Sequence, residues 1–181
     1  VMNSFFQSVS LRTAGFNTVD LMQLRDATVY FMIFVMFIGA SPGSTGGGIK
    51  TTTLAVAVLL VYHVIRGRKE VTVFYRTITQ DFVIKSFVLI MLSVFMVMLT
   101  TFVLTMSESR AFLPLLFESV SAFATVGLSL GVTPELTPFG KVMIIVTMLA
   151  GRVGPLTLFF AMSNQAATTG YRYPEDKIII G

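Results

Sequence analysis

Of the chain's 181 residues 54% are hydrophobic and only 12% charged, and its mean hydropathy is +0.82; soluble domains carry about 25% charged residues. That composition belongs to an integral membrane protein. With no cysteine and His63 as the single histidine, disulfides, thiolate metal sites, a histidine-built zinc site and an Asp-His-Ser relay are excluded. The net charge of +4 is small and clustered in one loop, so no nucleic-acid-binding face is expected.

The first element in chain order is a short amphipathic stretch, Phe6-Gln7-Ser8-Val9-Ser10, that leads into Thr13-Ala14-Gly15-Phe16-Asn17. The same pattern returns as Phe117-Glu118-Ser119-Val120-Ser121 leading into Thr125-Val126-Gly127-Leu128-Ser129, with the threonine slipped by one position. A helix too short to span a bilayer, followed by a Gly-centred strand, is what a re-entrant pore loop needs: backbone carbonyls can then replace the water shell of a dehydrated cation. One isolated Thr-x-Gly would read as an ordinary turn. Two copies, each after a matching helix, point to an ion pathway. The chain begins directly in this helix without an outer helix before it, and so reads as a fragment.

Ala27 to Ile38 is apolar but stops at Gly39-Ala40-Ser41-Pro42-Gly43-Ser44-Thr45-Gly46-Gly47-Gly48; Leu54 to Ile65 resumes the apolar pattern. Neither piece reaches the roughly 20 residues of a full span, yet together they exceed it. The economical reading is one crossing broken by a glycine-rich loop at membrane depth, where irregular backbone is tolerated only if buried in protein or lining a cavity. Arg66, Arg68, Lys69, Arg76 and Lys85 follow, opposed only by Glu70 and Asp81, which makes this loop cytoplasmic. Ser86 to Thr105 predicts an unbroken span, Phe112 to Ala124 the second pore helix, and Phe139 to Ser163 a third span carrying Arg152. Two crossings separate the pore loops, so both open to the outer face and the C-terminus, with Arg172 and Lys177, returns to the cytoplasm.

Two features admit rival readings. Gly43 to Lys50 nearly fits the phosphate-cradling G-x-x-x-x-G-K-[ST] pattern, missing it because Ile49 separates Gly48 from Lys50. A membrane enzyme binding nucleotide phosphate through residues 43–51 is therefore the alternative, although no later apolar run ending in an acid supplies a magnesium ligand. Arg152 lies mid-span, where an arginine costs about 2.5–3.5 kcal/mol on insertion scales and so faces a partner or a cavity. It either pairs with an acid such as Glu118 or places a positive charge beside the pore. The alternative role for Glu118 is a hydrogen bond to the filter backbone, and His63 with the many Met and Phe residues reads as lipid-facing or packing.

The segments S-L-R-T-A-G-F-N-T, G-A-S-P-G-S-T-G-G-G-I-K-T-T-T, A-T-V-G-L-S and A-G-R-V-G-P-L-T, with the ending Y-P-E-D-K-I-I-I-G, resemble the Trk/Ktr/HKT superfamily of potassium transporters, most nearly the bacterial Ktr membrane subunit. The resemblance covers essentially the whole chain and implies an all-α integral membrane fold of four helix–pore loop–helix repeats around a central ion pore, of which this chain supplies the last two. Residues 1–66 would be the third repeat without its first helix, 67–85 a cytoplasmic linker, 86–164 the fourth repeat and 165–181 a cytoplasmic tail. The filter carbonyls would come from Thr13, Ala14, Gly15 and Phe16 and from Thr125, Val126, Gly127 and Leu128. The segment 39–53, with Gly39, Ser41, Pro42, Gly43, Ser44, Thr45, Gly46, Gly47, Gly48 and Lys50, would form an intramembrane gate, and Arg152 an electrostatic barrier below the filter. The resemblance further implies no enzymatic activity and no cofactor, potassium as the transported ion with sodium as a candidate co-ion or activator, and a plasma-membrane location. It also implies the N-terminal half of the same transporter, a homodimer, and a cytoplasmic ring of nucleotide-binding regulatory subunits as partners.

Overall fold

Inside a bilayer every backbone N–H and C=O must be paired within the protein, which leaves an apolar chain little besides helix. The computed structural model describes residues 2–44, 46–67, 71–73 and 76–154. Its elements are α1 (Met2–Ser10), α2 (Asp26–Phe37), α3 (Thr51–Ile65), a two-stranded ribbon β1 (Thr72–Val73) and β2 (Arg76–Thr77), α4 (Gln80–Ser107), α5 (Phe112–Phe123) and α6 (Pro138–Val153).

Helix α4, 28 residues long, is the one helix among the described residues that is long and apolar enough to cross a membrane. Phe87, Phe95, Met98, Phe102 and Met106 stand exposed along it, an apolar exterior suited to lipid rather than water. Its other side turns inward with small polar residues. Ser93, Thr100 and Thr101 are buried and donate to carbonyls one turn back, at Leu89, Met96 and Val97. Thr100 also meets Thr147 of α6 at 2.9 Å, an interhelical hydrogen bond of the kind worth about 0.6 kcal/mol in membrane bundles.

The core surrounds α5, which packs against α2, α4 and α6. Phe117, Phe123 and Leu115 from α5, Met36 from α2 and Leu104 from α4 are fully buried. A helix of 12 residues is thus walled in by α2, of equal length, and by the longer α4 and α6, and its C-terminal end is delivered to the interior.

The apolar run expected to be interrupted forms two helices, α2 and α3, with an excursion between them. After α2 the chain leaves at Gly39 and returns at Ile49, whose N–H donates to the Phe37 carbonyl at 3.3 Å, while Thr51 N–H donates to Ala40 at 3.4 Å. A parallel bridge, Ile38 to Ile49, closes the neck, and α3 starts from it. The excursion is therefore tied at its base rather than slack.

Two boundaries and one added element differ from the sequence expectation. Helix α4 begins at Gln80, not Ser86, because Asp81 in the first turn complements the positive end of the helix; the linker expected over 67–85 is helical in its last residues. The same linker holds the ribbon, with Thr72 opposite Thr77 and Val73 opposite Arg76. Its Thr72 hydroxyl lies 3.4 Å from His63 Nε2, and His63 Nδ1 donates to Leu59 at 2.8 Å, so that histidine is buried by packing. Helix α6 ends at Val153, where Gly154 turns left-handed at φ +91°. Residues 155–163 of the expected third span, and the tail 165–181, lie outside the described residues.

Candidate functional site

The two repeated loops carry the same backbone signature. Thr13 and Gly15 have φ of +64° and +73°; Thr125 and Gly127 have +54° and +87°, whereas Ala14 and Val126 between them stay in ordinary conformations. Carbonyls of a regular strand point to alternate sides. Reversing the handedness at every second residue brings them toward one side. Left-handed backbone is cheap for the glycines but a genuine outlier for β-branched threonine. It costs about 1–3 kcal/mol at each of the two threonines, so the surroundings must hold it.

Part of that hold is a repeated pin. The Ser10 hydroxyl donates to the Phe16 carbonyl, and the Ser121 hydroxyl donates to the Leu128 carbonyl at 2.6 Å. Ser10 is the last residue of α1 and Ser121 lies two before the end of α5; each catches the residue just past the glycine. The carbonyls of Phe16 and Leu128, expected as a fourth ligand from each loop, are therefore already engaged by hydroxyls. The three before them in each loop carry no such side-chain donor among the described residues.

The loops meet backbone to backbone. A Cβ at Gly15 would overlap the Val126 carbonyl oxygen, and one at Gly127 would stand 3.7 Å from the Gly15 Cα. Both short helices run out at this junction: Ala14 and Gly15 still donate to the Ser10 carbonyl, at 3.2 and 3.4 Å, and Val126 donates to Ser121 at 2.9 Å. Two helix C-termini, each the negative end of its dipole, converge where the loops touch. That favours a cation.

Glu118 steadies the far side of the second loop. It is 4% exposed, and its carboxylate accepts from the hydroxyls of Ser129 and of Thr133, the latter at 2.8 Å. Ser129 in turn accepts the Gly131 N–H at 3.0 Å. Among the described residues Glu118 therefore bonds side chains rather than the backbone of the second loop, and it does not pair with Arg152. Gln7 occupies its place in the first copy, and there both amide atoms are buried without a partner among the described residues.

The glycine-rich loop lies against both threonines. Gly47 N–H donates to Thr125 Oγ1 at 2.8 Å. A Cβ at Gly46 would come within 3.0 Å of Thr13 Oγ1, and one at Gly48 within 3.3 Å of the Ala124 side chain. Ser41, Pro42, Gly43 and Ser44 form an exposed turn; Thr45 lies outside the described residues. Lys50 Nζ donates to the carbonyls of Ser44 at 3.0 Å and Gly46 at 2.7 Å. A phosphate-binding lysine must point its ammonium at the ligand; this one is spent on its own loop. No group of three or more His, Cys, Asp or Glu side chains able to hold a metal occurs among the described residues, which leaves the nucleotide reading without support.

Arg152 is exposed in the last turn of α6. The ion pair found among the described residues joins Arg110 to Glu135, away from it. Its neighbour Gly151 packs so closely on the Phe123 carbonyl that a Cβ would overlap it, and the same carbonyl stands 3.0 Å from a Cβ built at Gly47. Arg152 is thus one residue from the point where α5, α6 and the glycine-rich loop meet. Sequence reasoning missed the serine pins, for which the repeated serine before each Thr-x-Gly was the available signal.

A family profile, TrkH cation transport protein, matches residues 1–171. The chain belongs to the TrkH cation transport family. Among relatives, it is 44% identical over 178 residues to Ktr system potassium uptake protein D of Bacillus subtilis, covering 98% of this chain and 40% of that protein. It is equally 44% identical over 178 residues to Ktr system potassium uptake protein B of Vibrio alginolyticus, covering 98% of this chain and 39% of that one. The crystal structure of the potassium transporter TrkH from Vibrio parahaemolyticus superimposes with a TM-score of 0.77 at 22% identity, over 89% of this chain and 36% of that chain, which establishes a shared fold. The chain spans about 40% of the length of these curated relatives. The resemblance to the Trk/Ktr superfamily therefore holds, and the family is one of membrane transporters, not enzymes.

Proposed function

We propose that this chain is the C-terminal, ion-translocating part of a Ktr-type potassium uptake protein in the plasma membrane. The carbonyls of Thr13, Ala14 and Gly15 and of Thr125, Val126 and Gly127 supply half of a filter that replaces potassium's hydration shell. Phe16 and Leu128, pinned by serines, set its outer edge. The N-terminal half of the same transporter supplies the other half. The loop 39–48 with Lys50 is a gate beneath the filter, and Arg152, charged and unpaired among the described residues, is a barrier to cations near it.

The observation that carries this reading is the pair of loops with one handedness pattern, touching at their glycines where two helix C-termini converge. The relatives named as potassium uptake proteins supply the ion. Sodium as co-ion or activator, a homodimer, and a cytoplasmic nucleotide-binding ring on the face bearing Arg66 and Lys85 complete the proposal. The test is expression of the full-length protein in a bacterium lacking its own potassium uptake. Growth at low potassium supports the assignment. Failure of a folded, inserted protein to restore potassium uptake refutes it.

A further inference from the structure

We infer that the Thr125 hydroxyl is the catch that holds the glycine-rich loop closed, so that one residue serves filter and gate together. The inference rests on the reading of 39–48 as a gate. Lys50 bonds Ser44 and Gly46 within the loop, and Ser44 N–H donates to Ser41, also within it. Ile49 and Thr51 close the neck against Phe37 and Ala40. These bonds stiffen the excursion but do not fasten it to the filter. Among the described residues, the hydrogen bond that does is Gly47 N–H to Thr125 Oγ1, at 2.8 Å across 78 positions of sequence.

The fit around that bond is close. Gly47 is buried, and a Cβ there would lie 2.8 Å from Thr125 Cγ2 and 2.9 Å from Oγ1. Only a bare backbone N–H reaches the hydroxyl. Thr125 holds its side chain in place by a left-handed backbone, φ +54°, that glycine or asparagine would adopt at less cost. A threonine kept in so unfavourable a conformation is explained if its side chain has a job. Thr13, at φ +64°, lies beside Gly46 in the matching place but, among the described residues, forms no hydrogen bond with the loop, only contact. The seat is double and the catch single. Lifting the loop would break one hydrogen bond, at the residue that begins the second filter strand. Gate movement and filter geometry are thereby joined at Thr125.

The experiment uses the full-length protein and measures a gating factor, the potassium flux of a form shortened across 43–48 divided by that of the intact loop, in four backgrounds. Thr125→Val removes the hydroxyl at nearly constant volume and should lower the factor about fivefold, the equilibrium change that one net hydrogen bond makes. Thr125→Ser, which keeps the hydroxyl, and Thr13→Val, which touches the unbonded half of the seat, should retain the parent factor. Dividing the two fluxes cancels any change in conduction through the filter itself. An unchanged factor in Thr125→Val, or an equal loss in Thr13→Val, overturns the catch. Should Thr125→Val fail to insert, Gly47→Ala decides: its methyl pushes the loop off Thr125, so raised basal flux supports the inference and parental flux overturns it. A parent protein indifferent to shortening of 43–48 would instead bring down the gate reading, and this inference with it.

Discussion

Alanine at Gly15 should damage ion discrimination far more than alanine at Gly127, although the two glycines hold matching places in the repeat. Both have positive φ, +73° and +87°, so each substitution carries the left-handed penalty of about 1–2 kcal/mol. At Gly127 that is nearly the whole cost, because the nearest atom to a new Cβ is 3.7 Å away. At Gly15 the Cβ would overlap the Val126 carbonyl oxygen, and backbone must move. If that oxygen is an ion ligand, losing its contact is comparable to losing a hydrogen bond to a charge, about 1.5–3 kcal/mol. This corresponds to a roughly ten- to hundredfold loss of potassium affinity. Sodium, smaller and less dependent on a cage of potassium's size, should lose less. Competitive potassium and sodium uptake by the full-length variants measures the ratio. We expect at least a tenfold fall for Gly15→Ala and a change of about threefold or less for Gly127→Ala. Parental discrimination in both, or greater damage from Gly127→Ala, would refute the placement of the Val126 carbonyl in the filter.

Arg152 is exposed and without an ion pair among the described residues, so Arg152→Ala should leave stability within about 0.5 kcal/mol of the parent while raising potassium flux; Arg152→Lys, retaining the charge, should stay near parental flux. Thermal unfolding run beside uptake checks both halves, and a large stability loss with no gain in flux would make Arg152 structural. Glu118→Ala should destabilise the protein by about 1–3 kcal/mol, because the Ser129 and Thr133 hydroxyls lose their acceptor in a buried setting. Glu118→Gln, keeping an acceptor oxygen, should lose roughly half as much in the same unfolding measurement.

Patterns that depend on local chain chemistry were legible before any coordinates. The repeated F-x-S-V-S and Thr-x-Gly segments announced two short helices with matching loops, and the glycine run announced a break between two apolar helices; both features are present, within a few residues of the expected bounds. What could not be read depends on atoms distant in sequence. Gly47 meets Thr125 across 78 positions, and Gly151 is required by the Phe123 carbonyl, neither of which leaves a periodic trace. The Phe16 and Leu128 carbonyls looked interchangeable with their neighbours because a motif records which residues are present, not which carbonyl a serine hydroxyl has taken. Lys50 stayed open for a related reason. Beside a glycine run, a lysine serves a phosphate or the run's own carbonyls equally well on paper, and only the 2.7 Å contact to Gly46 separates the two. The ribbon at β1 and β2 was hidden by its length, two residues a side.

The central claim is that a carbonyl filter and a glycine-rich gate in this chain pass potassium. Its most direct test is ion flux through the purified full-length protein in liposomes, with potassium or sodium as the carried ion and with residues 43–48 intact or shortened. The account predicts potassium flux well above sodium flux in both forms, and a rise in potassium flux on shortening that leaves the preference intact. Equal passage of the two ions with the loop intact, or no potassium flux from the folded, reconstituted protein in either form, would contradict it.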